Sequence, residues 1–286
     1  MTWIKVERAG APQGFRVHSC KPTRARSNVI THRPRRRQPP HLVELVPPPS
    51  SEPGPLAALR QHATAVRARR RQQLAFSTDK VENVYVVRSG LLVLHANGAR
   101  QHEQILSLHY PGDIWRAGLA PPLPGMGLRA AWPSEVWRLP TERFETLIAA
   151  DSVLALPLNL QLAEQHARTL LHVAAVGGLN GEERVVSFLI ELGLRIGTGA
   201  RDRLSFEMPL SRTDIAAYLA LNADTLSRIV SRLKAKGLLA QTGRTRALLP
   251  DWEGLCALSP VASTVVALHA KRGNALKSPP ARLHAT

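Results

Sequence analysis

Asp224, Ser227 and Arg228 fall at i, i+3 and i+4, a spacing that gathers them on one face of an α-helix. Together they offer an accepting carboxylate, a hydroxyl that donates or accepts, and a guanidinium with parallel N–H donors. The opposite face is apolar. Leu226, Ile229, Val230 and Leu233 stand at i, i+3, i+4 and i+7, a stripe that packs inward. A helix buried on one side, with such groups on the first turns of the other, suits the edges of base pairs. Arg228 matches guanine O6 and N7 bidentately, and Asp224 accepts from a cytosine amino group. Ser227 suits a base edge or a thymine methyl, and Ala223 an apolar contact.

These side chains need a rigid carrier. Ser211 caps a first helix whose Ile215, Ala216 and Leu219 face a core. Leu221-Asn222-Ala223 forms a short turn, and the second helix runs to about Lys236 before Gly237 stops it. Leu238-Leu239 and Ala247-Leu248-Leu249 then flank the polar turn Gln241–Arg246, which reads as a hairpin with a basic tip. Helix, turn, helix and hairpin make a winged helix, in which only the first turns of the second helix reach the major groove. Ser211, Arg212, Thr213, Arg232, Arg244 and Arg246 are the candidates for phosphate, contacts that position without specifying. The alternative is a helical hairpin in an enzyme core, with Asp224 and Arg228 as a solvated i,i+4 pair. That alternative leaves the basic hairpin unexplained.

At Ser211-Arg212-Thr213-Asp214-Ile215-Ala216-Ala217-Tyr218-Leu219 and on through Ala223-Asp224-Thr225-Leu226-Ser227-Arg228-Ile229-Val230, the chain resembles the cyclic-AMP receptor / fumarate-nitrate-reduction (Crp/Fnr) family of bacterial transcription regulators. The likeness is greatest to the FixK-like and Fnr-like branches. Two positions depart from the family pattern: Ala220 replaces the turn glycine, and Asp224 replaces a base-reading glutamate one methylene longer. Weaker similarity extends over about Leu56–Leu258. The resemblance implies an α+β fold: an N-terminal antiparallel β-roll of the cyclic-nucleotide-binding type, a long dimerisation helix and a C-terminal winged helix-turn-helix. It also implies a homodimer on palindromic double-stranded DNA, with RNA polymerase as a further partner.

Charge agrees with a polyanionic partner. Lys+Arg 38 against Asp+Glu 21 in 286 residues gives a formal net charge of +17, and the pI is near 11.2. Charge alone does not separate nucleic acid from an anionic membrane surface, but no apolar run here is long enough to span a bilayer. The 2 cysteines, Cys20 and Cys256, are too far apart in sequence to imply a disulfide framework, and a reducing cytoplasm fits. Residues 1–55 carry Arg33-Pro34-Arg35-Arg36-Arg37 and a proline cluster at 47–55, which reads as a disordered basic arm. Such an arm adds non-specific DNA affinity; the plainer readings are a linker or an upstream extension.

Residues 56–150 read as the roll. Leu56 to Arg71 is a basic helix candidate. Val84–His95 follows as two β runs broken at Ser89-Gly90, then a hairpin at Asn97-Gly98 and a strand over Gln104–Tyr110. Pro111-Gly112-Asp113 is a turn, and Arg129–Trp132 and Glu135–Leu139 complete the set.

Family members that bind cyclic nucleotide place a glutamate on the ribose and an arginine on the phosphate. Ile114 to Gly127 contains no glutamate, and Pro121, Pro122 and Pro124 remove N–H donors. Cyclic nucleotide is therefore not expected. An iron–sulfur cluster needs four ligands of thiolate class, and the two cysteines argue against one. Haem stays open through His95, His102, His109, His166 and His172, though no spacing pairs them.

Residues 151–178 carry the next pattern, within one long helical run from Phe144 to about Val176. Val153, Leu156, Leu160, Ala163, Ala167, Leu170 and Ala174 repeat at 3,4 spacing, a dimer seam, with Pro157 marking a helix start or kink. The other reading packs this helix only on its own roll, since Leu158 and Leu162 supply a second apolar face. Gly177-Gly178 and Asn180-Gly181 form a joint, residues 179–260 the winged helix, and 261–286 a basic tail. A rival of another class is a cyclic-nucleotide-binding-like regulatory or scaffold protein acting through a protein partner, which has no use for a basic wing. No phosphate loop, metal-ligand cluster or paired nucleophile and base supports an enzyme.

Overall fold

The computed structural model describes residues 55–76, 82–97, 103–116, 125–199, 203–242 and 245–275. Six antiparallel strands form the roll: β1 (Thr64–Ala68), β2 (Gln73–Phe76), β3 (Asn83–Asn97), β4 (Glu103–His109), β5 (Ile114–Arg116) and β6 (Gly127–Pro140). Their order is β1-β6-β3-β4, with β2 on β6 and β5 on β3. The long β3 and β6 carry the fold, because each meets partners on both edges.

Three sequence expectations change here. Leu56–Arg71 is a 3₁₀ helix only over Pro55–His62, and the remainder is largely strand β1. Pairing with β6 at Arg138–Ser134 decides this, overriding local helix propensity. The two runs at 84–95 are one strand, and the two at 129–139 are another. Gly90, at φ 86°, makes an irregular step against β6 rather than an end; a Cβ there would stand 2.4 Å from the Pro133 carbonyl oxygen.

The helical run from Phe144 is two helices, α1 (Thr141–Ala150) and α2 (Ser152–Gly178). Asp151 separates them, and its carboxylate accepts from Val153 N–H at 2.9 Å and Leu154 N–H at 3.3 Å. Pro157 therefore lies inside α2, five residues past its start.

One row of α2 holds the roll. Leu154 and Leu158 are buried with Val84, Val86 and Phe144. Farther along the same row, Gln161 donates to Asp113 at 2.9 Å and Arg168 pairs with that carboxylate at 2.6 Å. Between them the Gln165 amide accepts from Ile114 N–H at 2.8 Å and donates to Ile114 O at 2.7 Å.

Only Leu179-Asn180 separates α2 from α3 (Gly181–Ile196), so the joint is shorter than the glycines suggested. Asn180 and Glu183 close a capping box at the start of α3. Then come β7 (Leu204–Glu207), α4 (Arg212–Leu219), α5 (Ala223–Ala235), β8 (Ala240–Thr242) and β9 (Arg246–Leu249), with α6 (Trp252–Ala257) and α7 (Ala262–Ala275) last. Strand β7, unexpected from sequence, makes the wing hairpin a three-stranded sheet in the order β7-β9-β8. Residues 262–275, read as part of a basic tail, are helix, and Ala262 and Val265 are buried.

Ala220 ends α4 in the left-handed conformation, φ 52° and ψ 47°. An L-residue there is strained by roughly 1–2 kcal/mol, partly balanced by the larger unfolded-state entropy of glycine. Ala220→Gly is expected to stabilise the protein by about 0.5–1 kcal/mol. A urea midpoint that fails to rise contradicts this.

Candidate nucleic-acid interface

Helix α5 begins at Ala223, one residue earlier than the turn Leu221-Asn222-Ala223 suggested. Asn222 caps it by accepting from Thr225 N–H at 2.7 Å, so Ala223 and Asp224 are the first two helical residues. Leu226, Ile229 and Leu233 are buried, and Val230 half-buried. Ala223, Asp224, Ser227 and Arg228 are all exposed on the first two turns of the opposite face. Burial of the stripe thus fixes the helix's rotation and turns the polar groups outward together.

Arg212 and Thr213 are exposed on the first turn of α4, and Arg246 at the start of β9. Arg244 lies outside the described residues. Arg232 is exposed but pairs with Glu182 of α3 at 3.3 Å, and Lys236 reaches the same carboxylate at 2.7 Å. The Ser211 hydroxyl accepts from Asp214 N–H at 3.1 Å and donates to Asp214 Oδ2 at 2.7 Å. Its proton is therefore spent on the cap, while Arg212 and Thr213 remain outward.

Asp214 was not singled out as a site residue, and it matters. Its carboxylate is buried and takes three donors: Ser211 N–H at 3.2 Å, the Ser211 hydroxyl, and Arg129 Nη2 at 2.8 Å. Arg129 belongs to β6 and also pairs with Glu103 of β4. Burial pulls the Asp214 carboxyl upward, but Ser211 and Arg129 outweigh it and hold it below the usual range. The roll thus grips the N-terminal turn of α4. The local signal was the S-x-x-D capping spacing; the arginine 85 residues away had none.

The seam residues of α2 lie on solvent. Val153 is 81%, Leu156 65%, Leu160 59% and Leu170 55% exposed. Ala163 and Ala174 are exposed and Ala167 half-buried.

The histidines do not converge on one atom. His95 Nε2 lies 3.2 Å from Gln73 Oε1, His109 Nε2 3.0 Å from Ser107 Oγ, and His172 stacks on Tyr218 at 3.9 Å. His166 is exposed, and His102 lies outside the described residues. Among the described residues no three His, Cys, Asp or Glu side chains are grouped to hold a metal ion.

The cations near the nucleotide position are both engaged by carboxylates, Arg116 by Glu145 at 2.6 Å and Arg129 by Asp214 and Glu103. These residues do not fit a buried phosphate. Cys256 is the one cysteine among the described residues, and Cys20 lies outside them. Among the described residues no helix is long and apolar enough to cross a membrane.

Comparison with known proteins places this geometry among DNA-binding regulators. Residues 183–258 match the model of the Crp-like helix-turn-helix domain. The transcriptional activator protein FnrA of Stutzerimonas stutzeri is 30% identical over 186 residues, covering 63% of this chain and 74% of that protein. The transcriptional activator protein Anr of Pseudomonas protegens is 28% identical over 187 residues, with the same coverage, 63% and 74%. Among solved structures, FixK2 from Bradyrhizobium japonicum superposes with a TM-score of 0.60 at 26% identity, over 69% of this chain and 97% of that one. A CooA mutant from Carboxydothermus hydrogenoformans, at 17% identity, shares the fold with a TM-score of 0.59 over 72% of this chain and 95% of its own.

Proposed function

The chain belongs to the Crp/Fnr family of bacterial transcription regulators, and from that premise we propose that it acts as a homodimer on a two-fold symmetric DNA site. It is a DNA-binding regulator rather than an enzyme, as its relatives are. The observation that carries the finer reading is the common exposure of Ala223, Asp224, Ser227 and Arg228 above a buried stripe. In a helix-turn-helix this is the surface that enters the major groove. Arg228 donates to a guanine, Asp224 accepts from a cytosine, and Ser227 and Ala223 meet the neighbouring base edges. Arg212, Thr213, Arg246 and Arg244 take phosphates, with Arg232 shared between phosphate and Glu182. Ser211 acts through the cap it provides.

The exposed apolar row on α2 supports pairing of two copies, since side chains of this size are seldom left on solvent in one contiguous helical seam. Two-fold symmetry then sets the reader helices one DNA turn apart. Such a dimer, bound beside a promoter in the cytoplasm, presents its outer surface to RNA polymerase.

Selection of bound sequences from random duplexes tests this reading, using purified protein without additives. The expected product is an inverted repeat. Arg228→Ala is expected to lose about 1–3 kcal/mol at one base pair of each half-site, and Arg246→Ala to weaken all sequences equally. Enrichment of an asymmetric site, or equal losses across sequences for Arg228→Ala, contradicts the proposal.

A further inference from the structure

The turn between β1 and β2, Arg69-Arg70-Arg71-Gln72, carries three consecutive arginines, all exposed. Its backbone is fixed. Gln72 N–H donates to Arg69 O at 2.9 Å, Arg71 N–H to Ala130 O at 2.7 Å, and Ala130 N–H to Gln72 O at 3.0 Å. The Gln72 side chain closes the turn by accepting from Arg69 N–H at 2.9 Å. Arg71 sits in the left-handed region at φ 66°, a place that glycine or asparagine takes at less cost. An arginine kept at a strained position points to work for its side chain.

No neighbouring acid uses that charge. Among the described residues the ion pairs engage Arg67, with Glu135 at 3.7 Å, but none of the three turn arginines. Arg70 lies over the Trp132 ring at 5.5 Å, which leaves Arg69 and Arg71 to solvent. Charge on an edge strand discourages edge-to-edge pairing. Arg67 within β1 already serves that end, and the turn lies past the last β1 pair, Ala68 with Ser134.

Position says which polyanion. Ala130, bonded to the turn, is next to Arg129, whose guanidinium holds Asp214 in the first turn of α4 at 2.8 Å. Trp132, beneath Arg70, packs against the core that contains Ile215 and Leu219 of the same helix. From Arg71 to Asp214 these links span at most about 25 Å laid end to end, roughly seven base pairs at 3.4 Å each. Beside Asp214 stand Arg212 and Thr213, the exposed phosphate candidates of α4.

We infer that, on the reading of α4 and α5 as the DNA-facing elements, the Arg69–Arg71 turn is a second contact that grips phosphates of the duplex flanking the sequence read by α5. Guanidinium forks suit phosphate oxygens. Such contacts hold the flank without reading its sequence.

Binding of the full chain to two duplexes tests this: the selected inverted repeat alone, and the same repeat with about 12 base pairs added on each side. The readout is the affinity gained by the extension, in the parent and in Arg69→Gln/Arg71→Gly. That variant removes two charges and puts glycine at the left-handed position. The parent is expected to gain about tenfold near 0.15 M salt, with a log–log salt slope steeper by about 0.9 for each phosphate engaged. The variant is expected to lose most of that gain while keeping its affinity for the bare repeat within about twofold. It should melt no lower than the parent, and Arg71→Asn takes the place of Arg71→Gly should the glycine variant not fold. An equal gain in both proteins overturns the inference and leaves the turn to an acidic protein surface. An equal loss on both duplexes also overturns it, as a general effect of net charge. Failure of the parent to bind the bare repeat overturns the reading of α4 and α5, and this inference with it.

Discussion

Arg129→Leu is expected to cost about 3 kcal/mol of stability, the low end for removing one partner of a buried ion pair. The substitution strands Asp214, a buried carboxylate that keeps only its Ser211 donors. It also releases Glu103, half-exposed, which water can serve. The expense is therefore at the Asp214 end, and a second change there should recover part of it. Arg129→Leu combined with Asp214→Asn is expected to be less destabilised than the sum of the two single variants. Urea unfolding of the four proteins measures the coupling, and strict additivity would sink the idea. DNA affinity should fall in parallel, because Arg212 and Thr213 occupy the turn that Arg129 anchors.

The Asp214 contribution also has a sign in pH. Its folded pKa lies below the unfolded value, so its stabilisation is present above about pH 4. It is lost as pH falls through the depressed folded value.

Acid should act earlier, and more strongly, through His109. Burial pulls this imidazole down to about 4, with Arg168 adding to the fall and Asp113 opposing it. The folded protein keeps it neutral, whereas the unfolded chain protonates it near 6.5. Between those values the unfolded state binds more protons, so stability drops as pH is lowered from 6.5 to 4. The loss from this one side chain is on the order of 3 kcal/mol across that window. His172, also drawn down to about 4 by burial, acts in the same direction. Unfolding midpoints at pH 7 and pH 5 are expected to differ clearly in the parent protein and less in His109→Gln. An equal pH slope in both would show that His109 is not the group that titrates.

The parts legible in the sequence are those specified by neighbours a few residues apart. Helix α5 could be read because the turn at Leu221-Asn222-Ala223, the stripe of Leu226, Ile229 and Leu233, and the Gly237 stop all lie within 17 residues. The apolar row along α2 was legible for the same reason. Strand β1 was not, because its residues adopt strand only by pairing with β6 some 70 residues later. Helix α7 was hidden by composition: its lysine and arginine suggested a tail, while Ala262 and Val265 carry the packing. The grip of Arg129 on Asp214 joins two elements that give no local sign of each other. Residues 1–54, with the basic arm expected there, and Arg244 at the wing lie outside the described residues.

The double bond between the Gln165 amide and the backbone of Ile114 imposes a digital quality on the central helix. One planar amide matches one peptide rung, accepting at 2.8 Å and donating at 2.7 Å. It has no partial setting: a displacement of an ångström or two along the roll breaks both bonds and exposes the β5 edge. With Asp113 clamped by Gln161 and Arg168 on either side of it, α2 is indexed to the roll at a fixed notch. Sliding α2 along the roll would therefore have to break both bonds together, a movement by whole steps in place of a gradual creep.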